Sequence, residues 1–374
     1  TGDECLNGTS PIQGTELCSV AELMYSLEIL TSVTGNTKWA DRLEKVAFNA
    51  LPATYSPDMW THQYDQQVNQ VQCTYQENTV FSTNNGYSHT FGLEPNFGCC
   101  TANLSQPWPK FALSAIMKTE DGIAVVAYTP CKVTKKTKEA HVKISIKFRD
   151  KIDFKVTTDR ETAFTLDLKI PEWTEGAIIQ KNGQKITPAP GEFYKLKGSW
   201  SGETCFTLTL PMPVKIIPRP GNLYAIQRGP LIYSLPIGEE WTQINKDLPG
   251  HEYPHCDYEI HPITSWNYGL CIDNQLNSSS IISEKYTGAD ETAKEKKTPS
   301  DRIVFEERPI GETPFSPEGA PVILGITAQQ IDWPLINGSA APVPSSTKSS
   351  GPKEEIHLIP YGCTNLRITE MPII

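Results

Sequence analysis

The sequence predicts an α+β chain of several domains, helical at its start and antiparallel β-structure after it. Three observations predict this. Apolar residues recur at helical spacing between Leu17 and Thr34. From "DGIAVVAYTP" onward the period changes to two, with apolar and polar residues alternating in several runs. Between "AIIQK" and "QKI", Asn182-Gly183 has the composition of a two-residue hairpin turn.

In chain order, Val20, Leu23, Met24, Leu27 and Leu30 form the stripe of a first helix, with Thr15 its expected N-cap and Gly35-Asn36 its stop. Thr37 is expected to cap a second helix through "KWADRLEKVAFNAL", which places Leu43, Val46, Ala47 and Ala50 on one side and ends at Pro52. Residues 58–108 are polar, aromatic and rich in Asn and Gln, without a period. A connection of that length is either disordered or functional, and its aromatic content argues against disorder. "PKFALSAIM" reads as a further short helix.

Three runs then alternate: Val142, Ile144, Ile146 and Phe148; Phe164, Leu166, Leu168 and Ile170; Phe206, Leu208 and Leu210. Beyond "YAIQRGPLIYSL" the pattern weakens, with expected loops at "GADETAKEKKTPSD" and "NGSAAPVPSSTKSSGPKEE". "IHLIPYGCTNLRITEMPII" supplies closing strands. The expected division is 1–118, helical; 119–233, a β-sandwich; and 234–374, a second β-rich, sandwich-like domain with long loops.

The 374 residues are 38% hydrophobic and 20% charged, a globular composition. A net charge of −10 argues against nucleic acid as a partner, and the lysine-rich run "KVTKKTKEAHVKISIK" reads as the solvated face of a strand. No apolar stretch is expected to reach the ~18–20 residues of a membrane span. The opening "TGDECLNGTSP" has neither a basic nor an apolar leader and reads as a mature form or a fragment. Ten cysteines are too sparse for a disulfide scaffold. Sequons at Asn7, Asn103, Asn277 and Asn337 rank a secretory route slightly ahead of the cytosol. The oligomeric state is not legible.

The chemistry-bearing text is "GLEPNFGCCTAN". Adjacent cysteines such as Cys99 and Cys100 hold their Cα atoms about 3.8 Å apart, closer than a disulfide normally takes. Far upstream, "GTELC" sets Glu16 and Cys18 two residues apart. Under a Thr15 cap both lie in a first helical turn, where exposed N–H groups favour a thiolate and a carboxylate. Together the three thiolates and one carboxylate are a ligand set that zinc accepts in a tetrahedron. The bland alternative stays open: Cys18 as a core residue, Cys99 and Cys100 as small buried fillers. Cys5, Cys73, Cys131, Cys205, Cys256, Cys271 and Cys363 read as structural residues or disulfide partners.

"GTELCSVAELMYSLEIL", "ADRLEKVAFNALPATYSPDMWTHQYDQQVNQ", "FGLEPNFGCCTAN", "IPEW", "AIQRGPLIYSL" and "PYGCTNLRITEMP" occur in this order along the chain. Together they resemble the β-L-arabinofuranosidase family, glycoside hydrolase family 127. The resemblance implies an (α/α)6 barrel, here present only in part, followed by β-sandwich domains. It implies a zinc ion held by Glu16, Cys18, Cys99 and Cys100, with Cys99 also the nucleophile of a retaining glycosidase acting on β-L-arabinofuranosides. The implied acid/base is a Glu upstream of the E-x-C motif, which is Glu4, beside Asp3. The implied partner is an arabinofuranose-containing carbohydrate.

For the sugar-binding wall, Trp60, His62, Tyr64, Gln67, Asn69 and Gln70 are the obvious pool, and Glu94 is a second carboxylate near the cysteine pair, although each taken singly reads more readily as a packing or loop-fixing residue than as a direct sugar contact. The competing reading is a non-catalytic carbohydrate-binding or structural module in which zinc is a staple. A thiol redox role is disfavoured by the lack of a C-x-x-C motif in βαβ text. A full (α/α)6 barrel takes many more helices than the text before the sandwich supplies. The 374-residue chain alone is therefore expected to show little or no turnover of a β-L-arabinofuranoside, and robust hydrolysis in a direct assay contradicts this.

Overall fold

The structure, a computed structural model, describes residues 6, 8–79, 85–94, 97–136, 141–148, 151–272, 303–349 and 351–374. It is a mixed α/β chain with few helices and several β-sheets. In chain order β1 (Thr15–Glu16) leads into α1 (Leu17–Thr34) and α2 (Thr37–Lys45), then a π-helical turn Val46–Ala50 and a 3-10 turn Pro52–Thr54. β2 (Asp65–Gln66), α3 (Gly98–Leu104) and α4 (Pro107–Ser114) precede the β-structure.

The helices follow the predicted periods, but both starts differ from expectation. Thr15 is not an N-cap: it pairs with Gln66 in the β1–β2 ladder, and Leu17 N donates to Tyr64 O at 2.9 Å. Asn36 caps α2 rather than Thr37, its Oδ1 accepting Lys38 N at 3.0 Å. Gly35, at φ +62°, stops α1 as expected, its N–H reaching back to Thr31 O at 2.9 Å. Val20, Met24 and Leu27 are buried, whereas Leu23 and Leu30 are exposed, together with Tyr25, Ile29 and Val33 on a second apolar face of α1. α1 also corrects the expectation about membrane spans: by length and composition it could cross one, although it bears the buried Glu28 and 39% of it is buried within the protein.

The chain comprises two compact units. One comprises Leu23–Lys45 and Gln106–Pro213. Its sheet is built from β3 (Ile116–Lys118), β4 (Gly122–Val125), β5 (Cys131–Lys136), β6 (His141–Phe148), β7 (Ile152–Ile170), β8 (Ile178–Lys181), β9 (Gln184–Ile186) and β10 (Glu192–Thr209). Pairing is antiparallel throughout except for β4 beside β7, which is parallel. The long β7 and β10 each serve two sets of neighbours, and the alternating apolar residues of β4, β6, β7, β8 and β10 close one core. The predicted inward positions Val142, Ile144, Ile146, Phe164, Leu166, Leu168, Ile170, Phe206 and Leu208 are all buried there. Asn182 and Gly183, both at positive φ, make the predicted turn between β8 and β9. Lys169 is fully buried, bonded to Glu44 at 2.5 Å and Asp41 at 3.1 Å on α2.

The other unit gathers the described residues of Thr1–Glu22, Val46–Ser105 and Val214–Ile374. Its strands after β10 are β11 (Val214–Arg219), β12 (Leu223–Arg228), β13 (Leu231–Pro236), β14 (Glu239–Ile244), β15 (Asp257–Pro262), β16 (Tyr268–Leu270), β17 (Val304–Glu307) and β18 (Val322–Asp332). β19 (Leu335–Ile336), β20 (Ser339–Ala340), β21 (Ser346–Ser349), β22 (Glu354–Pro360), β23 (Arg367–Ile368) and β24 (Met371–Pro372) complete it. The main sheet runs β11-β12-β13-β22-β18-β16, so the first of the predicted closing strands, β22, is central to it, while β23 and β24 pair with β13 and β12. The expected loop at 337–355 holds β20, β21 and the start of β22, while that at 288–301 lies outside the described residues.

The amide-rich segment is neither disordered nor an exposed wall. Gln63, Gln67, Asn69 and Gln70 are completely buried. Asn69 Oδ1 accepts the N–H groups of Thr369 and Glu370, both at 2.9 Å, and its Nδ2 donates to Glu370 O at 2.9 Å. Asn69→Ala leaves all three backbone groups buried without those partners and is expected to lower unfolding free energy by about 3–5 kcal/mol, measurable by urea denaturation.

Candidate metal centre

Two stretches distant in sequence meet in the second of these units. Glu16 is fixed by the β1–β2 pair, opposite Asp65, and is 5% exposed. Because Leu17 N is bonded to Tyr64 O, the chain passes from β1 straight into α1, and Cys18 occupies the helix's first turn. Cys99 and Cys100 occupy the first turn of α3. Successive helical residues diverge by about 100° around the axis, so the neighbouring thiols have different environments. Cys100 is fully buried, and Cys99 is exposed.

Residues 55–64 hold α3 in place. Tyr55 Oη donates to Leu104 O at 3.1 Å, His62 Nε2 lies 3.1 Å from Thr101 Oγ1, and Tyr64 stacks on Phe97 at 3.9 Å between ring centroids. The result is that one ligand atom from each of Glu16, Cys18, Cys99 and Cys100 lies within 4.8 Å of the others. Cys18 Sγ and Cys100 Sγ are 3.2 Å apart.

The thiols do not titrate alike. The hydrogen bond with Cys100, helped by Asn103 and Cys99, pulls the Cys18 thiol down to about 7. That same bond, followed by burial, pushes Cys100 up, and burial followed by the bond with Cys18 raises Cys99. Without a cation, one negative charge settles on Cys18 and suppresses ionisation of its neighbours. A bound cation reverses that preference, since a coordinating thiol is deprotonated outright. Burial, with the Glu16 and Asp65 carboxylates nearby, also keeps the Tyr64 phenol protonated.

All four expected ligands are thus brought together. Glu4 lies outside the described residues. Of the sugar-wall pool, Gln67, Asn69 and Gln70 are turned inward to structural hydrogen bonds, the loop-fixing role expected of each singly, because they satisfy otherwise unmet backbone groups. His62 and Tyr64 are buried beside α3, and Trp60 is half exposed. Glu94 sits over the start of α3, its carboxylate 3.1 Å from where a Cβ on Gly98 would be. Two supporting residues went unread in the sequence. Asn103 bonds Cys18, and its spacing of three from Cys100 and four from Cys99 was the available signal. Ser19 Oγ lies 3.4 Å from Glu16 Oε2. The nine described cysteines are all free thiols.

Two family models match the chain, described as the beta-L-arabinofuranosidase GH127 catalytic domain, over residues 4–113, and the GH127 middle domain, over 122–212. No curated protein gives a significant match. Among solved structures the chain is similar to a GH127 beta-L-arabinofuranosidase from Geobacillus stearothermophilus T6, at 18% identity and a TM-score of 0.61, covering 98% of this chain and 50% of that one. A glycoside hydrolase is matched at 18% identity and a TM-score of 0.64 over 98% and 53% of the two chains. A GH127 beta-arabinofuranosidase is matched at 16% identity and a TM-score of 0.59 over 96% and 50%. The chain therefore spans about half the length of these solved relatives.

Titration with Co²⁺ as a spectroscopic probe is expected to give thiolate-to-cobalt charge-transfer absorption that saturates at one ion per chain. Glu16→Ala and Cys100→Ser should each weaken Zn²⁺ binding at least about tenfold in chelator competition, since even outer-shell losses reach that size.

Proposed function

The chain belongs to glycoside hydrolase family 127, and on that premise we propose that it carries the metal centre and nucleophile of a retaining β-L-arabinofuranosidase. The observation that supports this most directly is the convergence of Glu16, Cys18, Cys99 and Cys100 with only Cys99 exposed among them. α1 to α4 would then be part of an (α/α)6 barrel, and the glycan an arabinofuranose-containing one.

The donor set fits zinc. Thiolate ligands at about 2.3 Å around a tetrahedral ion stand roughly 3.8 Å from one another. That spacing falls within the 4.8 Å envelope of the four ligand atoms. When bound, zinc supplies the positive charge that keeps the thiols ionised at neutral pH without a neighbouring base.

In the proposed reaction, Glu16, Cys18 and Cys100 hold the site, and the exposed Cys99 sulfur faces the anomeric carbon. Cys99 attacks that carbon, and a C–S bond forms as the glycosidic C–O bond breaks. Glu4, in the acid role, gives its proton to the departing oxygen. In the second half Glu4 takes a proton from water, the water oxygen attacks the anomeric carbon, and Cys99 leaves as a thiolate. Two inversions give net retention.

A cysteine-directed arabinofuranosyl electrophile is expected to label Cys99, located by peptide mass spectrometry. In an active enzyme bearing this sequence, Cys99→Ala should lower turnover by about a thousandfold or more, as loss of a nucleophile does elsewhere. If Cys99→Ala binds zinc and keeps full activity, the nucleophile assignment is wrong and the thiol centre is a structural staple.

A further inference from the structure

The unit that carries the metal centre also has an aromatic cleft of about 750 Å³, lined among others by Asp58, Trp60, Thr61, Trp241, Tyr253 and Tyr258. Trp60 is 49% exposed and Tyr253 87% exposed. Large rings left in water at a concave surface mark a binding site more often than a packing defect.

The rings are held, not merely exposed. Residues 56–61 form a closed loop, with Ser56 N bonded to Thr61 O and Thr61 N to Ser56 Oγ, both at 2.9 Å. Asp58 Oδ1 accepts Trp60 N at 3.0 Å. Met59 sits in the left-handed region at φ +59°, a conformation that a side chain adopts only when its surroundings impose it. Trp60 Nε1 donates to Pro254 O at 2.7 Å. Trp241 Nε1 donates to Glu239 Oε2 at 3.0 Å, and its ring packs edge-on to Phe91 and Tyr258. Both indole N–H groups are thus used internally, and the half-exposed Trp60 ring, beside His255, is left open to a ligand. Fixed rings lose little freedom on binding.

From this we infer that the cleft is a stacking subsite for neutral sugar residues of the glycan beyond the arabinofuranosyl unit at Cys99, an inference that rests on the glycosidase reading. Flat aromatic faces match the C–H faces of sugar rings. The exposed Asp58 carboxylate can accept hydroxyl hydrogen bonds and repels uronates. The cleft is also tied to the reactive thiol: Thr61 lines it, and the next residue, His62, contacts Thr101, two positions along α3 from Cys99.

Calorimetric titration with a linear L-arabinohexaose and with methyl β-L-arabinofuranoside tests this on the whole chain. The hexasaccharide should bind more tightly, and Trp60→Ala should shrink the hexasaccharide-to-monosaccharide affinity ratio roughly five- to tenfold, in keeping with the worth of one aromatic contact. Tyr253→Ala should act in the same direction, and Trp60→Phe should recover part of the loss. Near-ultraviolet circular dichroism checks folding, and Tyr253→Ala, with its ring largely in solvent, keeps the test open if Trp60→Ala misfolds. An unchanged ratio in the folded variants, or no preference for the hexasaccharide, overturns the subsite. Labelling of Cys99 run in parallel separates the two readings. Labelling with an unchanged ratio removes the cleft alone, whereas Trp60-dependent hexasaccharide binding without labelling upholds the cleft and removes the catalytic assignment.

Discussion

The geometry of the thiol cluster depends on the burial of amides between residues 63 and 70. A buried amide without partners is strongly unfavourable, so this segment is stable only where donors and acceptors await it. Residues 364–370 provide them. Gln70 Nε2 donates to Asn365 O at 2.7 Å, Gln70 and Arg367 form a backbone bridge, and the buried Arg367 guanidinium bonds Thr364 O and Gln67 O. Tyr361 Oη donates to Gln66 Oε1 at 2.8 Å and its ring lies under Arg367. With this segment placed, β2 is placed. β2 then sets β1 and Glu16, and the carbonyl of Tyr64 sets the start of α1 and Cys18. Two residues of the cluster are therefore positioned through an amide segment whose own partners lie some 300 residues further along the chain, as the separations of these bonds show.

The other two residues of the cluster are positioned by α3, and here the electrostatics decide what the cluster can be. A purely apolar explanation of Cys18 and Cys100 does not account for Glu16, a carboxylate more buried than the half-buried Cys18 and within the same small envelope. A carboxylate and a low-pKa thiol together in a space from which water is largely excluded repel one another. Supporting groups such as Asn103 and Ser19 stabilise one negative charge each, not a set of four. A multivalent cation is the simplest neutralising partner for such a donor set.

Much of the fold was legible because it is local. The helical stripe of α1, the two-residue turn at Asn182-Gly183 and the alternation in β6, β7 and β10 need only periodicity and turn chemistry. The errors occur where a non-local partner wins. Thr15 has good capping chemistry, yet its backbone is taken by Gln66. Gln67, Asn69 and Gln70 read singly as packing or loop-fixing residues, but nothing nearby in sequence announces the carbonyls and N–H groups of residues 365–370 that claim them. The convergence of Glu16, Cys18, Cys99 and Cys100 was legible because thiols and carboxylates at E-x-C and C-C spacing are chemically uncommon. Asn103 escaped notice because an asparagine in a sequon has an ordinary explanation.

A closed set of four protein ligands usually signals a structural metal, since catalysis at zinc generally needs an open position. The cluster escapes this objection only if the reactive group is itself a ligand, and then only a ligand that a substrate can reach. The helical divergence of Cys99 and Cys100 meets that condition. Cys100 is enclosed with Glu16, while Cys99, one residue earlier on α3, is exposed. The same residues 55–64 that clamp α3 also project Trp60 into the aromatic cleft, so whatever orders this segment orders the thiol and the aromatic surface together. Under the proposed reading, that shared support lets a glycan gripped at a distance be presented to a sulfur whose position is already determined, which is how binding energy remote from the reacting bond is turned into rate.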